Sequence, residues 1–574
     1  NISSLLGEAV SDGQNENRLQ LLIDELKTKK NILLFIDEVH LLVNRNTANM
    51  SIDFANMLKP GLDRGDIKMI GATTDEEYEA YILRDRAFLR RFLRVDVLEP
   101  TEDQCVQILM GTYPKYEKRT GVKLNYTDFV KEKIFRFSNE YMDFLNHGKT
   151  EREIVAQSER IAREHGFRSI DEYTELHPGD KVYFVNRCKN IYLAVIGKRS
   201  MEEGLNIIGA HADSPRLDLK PNPLVQEGSL AYFKTHYYGG IKKYQWTTIP
   251  LAIHGVIIKA NGEKLTISIG ENENEPVFTI TDLLPHLAKE QQQKKVSEAI
   301  NGENLALLIG SIPSTNQEDE KSKNKVKTNI LRILNQKYGI TEEDFISSEL
   351  EIVPAFKART LGLDESLVSA YGQDDKVCVY TSLRAILNVE NPERTAVCLF
   401  SDKEEIGSMG NTGMESHVFD TFISELLNKA RINRPNLLDK VFCNSRMLSA
   451  DVDAGVDPLY AQVSDMNNAG IIGEGISLNK YTGSGGKYNS SDANAEYVAY
   501  IRKIFNENNI KYQLAELGKV DIGGGGTIAY ILANKGVDVI DCGVPVLSMH
   551  APYEVTSKYD IYSAYNAYET FFKN

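Results

Sequence analysis

The chain has 574 residues, 42% apolar and 26% charged, the composition of a water-soluble globular protein of about three to five domains by length. Its formal charge of −15 argues against a nucleic-acid binder, which needs a basic surface to neutralise phosphates. No apolar run reaches the ~18 residues that span a bilayer, and no basic segment with an apolar core opens the chain, so neither membrane anchor nor secretory leader is expected.

In chain order, residues 1–127 read as a first unit: a strand, NILLFIDEVH, a helix, SIDFANMLKPGL, and a second strand, IKMIGATT. Asp37 and Glu38 at the first strand end are of the type that holds a magnesium-bound water for nucleotide hydrolysis; a surface acid pair is the alternative. FIDEVH, ANMLKP, RGDIKMIGATT, RRF and LEPTEDQCVQIL, in this order, resemble the first ATPase domain of Clp-type AAA+ chaperones over about residues 5–126. The resemblance implies a Walker B pair at Asp37 and Glu38, a sensor at Thr74 and arginine fingers at Arg90 and Arg91. The phosphate cradle GxxxxGK[ST] that should precede the Walker B strand is missing from the sequence, and GSGGKY at 483–488 lacks the Ser/Thr and the glycine spacing. Without that cradle ATP neither binds well nor reacts, so this unit reads as a truncated α/β fragment with vestigial site positions. A phosphate-release assay is expected to show no ATP turnover by this chain. Turnover above background that Glu38→Gln abolishes would overturn that expectation.

The second unit opens on helical sequence, KEKIFRFSNEYMDFLN and GKTEREIVAQSERIAREHGF, and then alternates strands with helices. Residues 226–350 differ in character, opening β-rich (QWTTIPLAIHGVIIKANGEKLTISIG) and ending in a charged loop, QEDEKSKNKVK. They read as an insertion between 128–225 and 351–574, which together form one α/β domain. Six cysteines form no C-x-x-C pair and read as thiols of a reducing, cytoplasmic compartment.

Candidate metal ligands sit where apolar strands end. His211 follows LNIIGA and precedes Asp213; His550 follows VIDCGVPVLSM; Asp374 and Asp375 lie in YGQDDKV, Glu404 and Glu405 follow TAVCLFSDK, and Asp451 lies in LSADVDAG. Any one of these is as readily a solvated turn or a core histidine. Together they are the donor types zinc takes, imidazole nitrogen and carboxylate oxygen, and two dications about 3.5–4 Å apart need a shared carboxylate.

HADSPRLDLKP, KTHYYGGIKKYQW, GQDDKV, DKEEIGS, LSADV, GKVDIGGGGTIA and VPVLSMHAPYE resemble the aspartyl aminopeptidase and vacuolar aminopeptidase I family of metallopeptidases, in its bacterial branch, from about residue 132 to 574. The resemblance implies a mixed-sheet α/β dinuclear zinc aminopeptidase domain with an inserted β-rich dimerisation domain. One zinc would lie on His211, Asp374 and Asp451, the other on Asp374, Glu405 and His550, with manganese or cobalt as replacements. Glu404 would be the general base. Asp213 would orient His211 by accepting its other N–H, and Asp375 would support. Peptides would be the substrates, in a homo-oligomer built from dimers, a dodecamer by resemblance. His286 in LLPHLA would reach a neighbouring subunit's active site, while His236 would be structural. Lys480 and Tyr488 fall near substrate-contact positions, but Ala454 stands where acid-preferring members carry a histidine, so strict aspartyl specificity is not expected. The competing readings are an ATP-driven Clp-type chaperone component with an accessory peptidase-like region, and a dead peptidase scaffold; the first lacks its phosphate loop and the second should have lost ligands.

Overall fold

The computed structural model describes residues 12–29, 32–43, 54–97, 126–319, 321–488 and 490–574, and the chain divides into units Asn1–Leu124 and Asn125–Asn574. In the first unit the strand Leu33–Ile36 pairs in parallel with Lys68–Gly71. A parallel pair needs a crossover, and the helix Phe54–Asp63 lies on it. A small core of Ile23, Leu26, Val39, Leu42, Leu58, Ile67, Ile82 and Phe88 holds these pieces. Parallel strands are ordinarily covered on both faces, yet Leu33, Phe35 and Ile70 are exposed. The second strand stops at Gly71, short of the Thr74 that its apolar pattern suggests. Thr74 instead caps the turn Asp75–Glu77, its hydroxyl accepting from the Glu77 N–H. Arg91 pairs with Asp63. LEPTEDQCVQIL lies outside the described residues.

The second unit is built on a nine-stranded mixed sheet. Its order is Tyr512–Leu514, Ile476–Asn479, Asp538–Gly543, Arg446–Ser449, Asn206–His211, Ala396–Ser401, Asn190–Val195, Lys181–Asn186, Arg168–Ser169. The four strands Asp538–Gly543, Arg446–Ser449, Asn206–His211 and Ala396–Ser401 run parallel. They are apolar on both faces because both are covered. Helices Tyr126–His147, Gln373–Leu387 and Lys558–Lys573 contribute Phe144, Val379 and Phe571 to one core. Helix Val418–Lys429 contributes Phe419, Phe422 and Leu426 to the other. The T-x-x-E at 150–153 forms a full capping box that starts the helix Glu151–Glu164.

A six-stranded antiparallel sheet follows the order Lys264–Ile269, Leu251–Ile258, Ser348–Pro354, Arg216–Glu227, Leu230–Tyr238, Ala306–Gly310, around Leu217, Phe233, Trp246 and Ile352. Two of its strands, Arg216–Glu227 and Ser348–Pro354, extend past the 226–350 block, since they connect it to the larger sheet and pair with each other. Among the described residues, no helix is long and apolar enough to cross a membrane.

Candidate metal centre

Because the four central strands are parallel, their carboxyl ends lie at one edge, the usual place for a site in an open α/β sheet. His211 ends its strand, Glu404 and Glu405 lie just beyond Ser401, and Asp451 lies just beyond Ser449. Asp374 enters at the start of the helix Gln373–Leu387. That helix is preceded by Gly372 at φ 71, where an added Cβ would meet the Lys376 Nζ at 2.5 Å and the Ser214 Oγ at 2.8 Å.

The His211 Nε2 lies 3.2 Å from the Asp374 Oδ1 and 3.8 Å from the Asp451 Oδ1. The other Asp374 oxygen lies 3.2 Å from the His550 Nε2, which is 3.5 Å from the Glu405 Oε2. One carboxylate thus faces two donor groups, His211 with Asp451 and His550 with Glu405. His211, Asp375 and Asp451 also approach closely enough to share an ion; Asp375 meanwhile accepts the His211 main-chain N–H at 3.2 Å.

Each imidazole is fixed by its second nitrogen. The His550 Nδ1 faces the Gly240 carbonyl at 2.9 Å. The His211 Nδ1 faces the Asp213 carbonyl oxygen at 3.0 Å and its Oδ1 at 3.3 Å, so the main chain of Asp213 shares the orienting role expected of its carboxylate. That carboxylate accepts the N–H groups of Glu404 and Glu405 at 3.2 and 3.3 Å. Glu554, which the sequence reading passed over inside VPVLSMHAPYE, accepts the N–H groups of Asp374 and His550.

The charges do not balance with protein groups alone. Burial, reinforced by Asp451, Asp213 and Asp374 against the pull of His211, pushes Glu404 up to about 8. Burial, then Asp374, holds Glu405 well above the usual carboxylate range. Burial would lower His550, but Asp374 and Glu405 outweigh it and raise the imidazole to about 10. The Glu405 Oε1 and Asp375 Oδ1 are buried with no hydrogen-bond partner among the described residues. A buried carboxylate excess of this kind needs cations, and the donor set of imidazole nitrogen and carboxylate oxygen fits zinc.

The site opens into a cavity of about 420 Å³, whose wall beyond the metal-facing groups includes Asp453, Asn479, Thr527, Asp541 and Gly524–Gly526. Gly524–Gly526 and Thr527 belong to GKVDIGGGGTIA and Asp453 to LSADVDAG, whereas Asn479 and Asp541 lie in none of the motifs that carry the resemblance. Lys480 and Tyr488 are not among the lining residues. Lys480 pairs with Asp492 and Tyr488 is 71% exposed. His286 lies in an exposed turn, Pro285–Leu287, and does not line the cavity either.

A buried cluster of imidazoles and carboxylates at parallel strand ends, open to a substrate-sized cavity, defines a metal-dependent hydrolase. Residues 144–572 match the aminopeptidase I zinc metalloprotease (M18) family, and the chain belongs to it. A probable M18 family aminopeptidase 1 of Borreliella afzelii is 50% identical over 460 residues, 79% of this chain and 100% of that one. The crystal structure of an M18-family aminopeptidase from Thermotoga maritima shares 49% identity with TM-score 0.75, covering 77% of this chain and 97% of that one. That of aminopeptidase I from Clostridium acetobutylicum shares 47% identity with TM-score 0.73, covering 78% and 98%. The chain is therefore a metal-dependent aminopeptidase. Residues 1–95 match the ATPase family associated with various cellular activities.

Proposed function

We propose that this chain removes single residues from the free N-termini of peptides, with two zinc ions in the cleft. The observation that carries the reading is Asp374, whose two oxygens each lie 3.2 Å from a different imidazole. His211 and Asp451 complete one site and Glu405 and His550 the other, both open to manganese or cobalt. Bound zinc supplies Lewis acidity toward a carbonyl oxygen and an attacking water. Glu404, on the cavity wall, takes the proton of that water and returns it to the leaving amine. Asp213 and Glu554 hold ligands and base in register. The chain works as a homo-oligomer, a dodecamer by resemblance, with His286 contributed in trans; Leu283, Leu284 and Leu287 are exposed beside it.

Elemental analysis is expected to find two zinc ions per chain. Chelation should abolish cleavage of aminoacyl arylamides, zinc should restore it, and peptides with blocked N-termini should resist. Zinc uptake by the chelated protein should release protons, because His550, held at about 10 without metal, must lose its proton to ligate. Affinity therefore rises with pH below that value. Full activity without metal, equal cleavage of blocked peptides, or calorimetry in buffers of different ionisation enthalpy showing no proton release would count against this assignment.

A further inference from the structure

We propose that Tyr238, at the end of a strand of the six-stranded sheet, is a positioning residue for the Glu404–Glu405 pair. The inference rests on the reading of Glu404 as base and Glu405 as ligand. Glu404 and Glu405 open a single short turn, Glu404–Ile406, preceded by Lys403 at φ 68 and without a side-chain cap. Their main-chain N–H groups instead bond the Asp213 carboxylate, Glu404 to Oδ1 and Glu405 to Oδ2. Asp213 is 1% exposed, so its position sets the direction of both glutamates. The buried Tyr238 hydroxyl donates to the Asp213 Oδ2 at 2.8 Å.

The tyrosine is itself fixed. Arg216 lies opposite it in the strand pairing, and its guanidinium sits 3.9 Å from the ring centroid. Arg216 is held by Asp218 at 2.9 Å and Glu351 at 3.1 Å. The next residue, Gly239, has φ +75 and packs so tightly that an added Cβ would stand 3.2 Å from the Glu405 Oε2. The smaller domain thus presses a rigid strand end on the catalytic turn, and the Tyr238 hydroxyl is the one polar link from that ring to the carboxylate anchoring the turn. Near-attack geometry is sensitive enough that ~1 Å of displacement costs on the order of a hundredfold.

Tyr238→Phe keeps the ring and its stacking on Arg216 and removes only the hydroxyl. The expected result is a fall in kcat of about ten- to a hundredfold, with KM and zinc content little changed. Tyr237→Phe, at a neighbouring half-exposed ring, should leave the kinetics unchanged. In the metal-free protein, amide hydrogen exchange of a peptide spanning 402–410 should be faster in Tyr238→Phe. Asp213→Asn should do the same, and the double variant should add little, because both act through the Asp213 carboxylate. Unchanged kcat with unchanged exchange, while Glu404→Gln still abolishes turnover, would overturn the positioning role alone. A kcat loss fully reversed by added zinc would overturn it too, since the hydroxyl would then serve metal retention. An active Glu404→Gln would instead remove the underlying assignment of the base, while the exchange experiment would still report on the hydrogen bond.

Discussion

Glu404→Gln is expected to lower kcat by about a hundred- to ten-thousandfold, the range for loss of a general base, while the zinc content of the protein is unchanged. Glu405→Gln is expected to lower the zinc content itself. The neighbours differ in what they face. The Glu405 Oε2 lies 3.5 Å from the His550 Nε2 with its side chain 4% exposed, and its Oε1 is buried without a partner. Those are the surroundings that the proposed ligand role would require. The Glu404 Oε2 stands 4.0 Å from the His211 Nε2 with its side chain 17% exposed, farther from its imidazole than Glu405 is from His550 and more exposed. Glutamine reproduces the shape of either side chain but cannot take a proton, and it replaces a negative oxygen with a neutral one. The first change matters for proton transfer, the second for holding a dication. Elemental analysis and steady-state kinetics on the two variants separate them; zinc lost from the Glu404 variant and retained by an inactive Glu405 variant would exchange the roles.

The convergence of His211, Asp374, Glu405, Asp451 and His550 was legible because each follows or opens an apolar element whose period or run length announces it, and parallel strands bring such ends together. The resemblance then suggested how the donors divide. What escaped was contributed across the fold. Tyr238 and Arg216 come from strands of the second sheet and look like ordinary alternating strand residues. Glu554 acts by accepting main-chain N–H groups, a role no side-chain pattern records. Lys480 is placed by a different feature. Side chains alternate faces along a strand, so a shift of one residue reverses the face. Asn479 closes the strand Ile476–Asn479 and lines the cavity, whereas Lys480 turns outward to Asp492. Thr74 failed more simply: IKMIGATT reads as one strand, but its threonine oxygen is better used as a helix cap.

That outward turn of Lys480 bears on substrate choice. Hydrolysis of N-terminal Leu and Met substrates is expected to match or exceed that of Asp and Glu substrates in kcat/KM. A carboxylate side chain entering the pocket needs a cation already in place, and among the described residues no lysine or arginine lines the cavity. Lys480 and Lys487 both bond Asp492, and Ala454 supplies no donor. One hydrogen bond to a charged group contributes about 1.5–3 kcal/mol, so lacking it forfeits roughly ten- to a hundredfold in discrimination. The wall carries acids instead. Asp453 is 2% exposed, and its Oδ2 has no hydrogen-bond partner among the described residues. Asn479 spends its amide on the other Asp453 oxygen at 3.0 Å. Thr527 donates to Asp541 at 2.7 Å, leaving that carboxylate on the same wall. Burial raises Asp453 to about 6 and Asp541 to about 7, so another carboxylate brought among these meets the like charge they carry above those values, while a neutral chain does not. Measuring kcat/KM for Asp, Glu, Leu, Met, Ala and Lys arylamides decides the matter. A preference for Asp above about a thousandfold, beyond what a wall without lysine or arginine can produce, would mean that the acidic side chain is met by a group from outside this cavity wall.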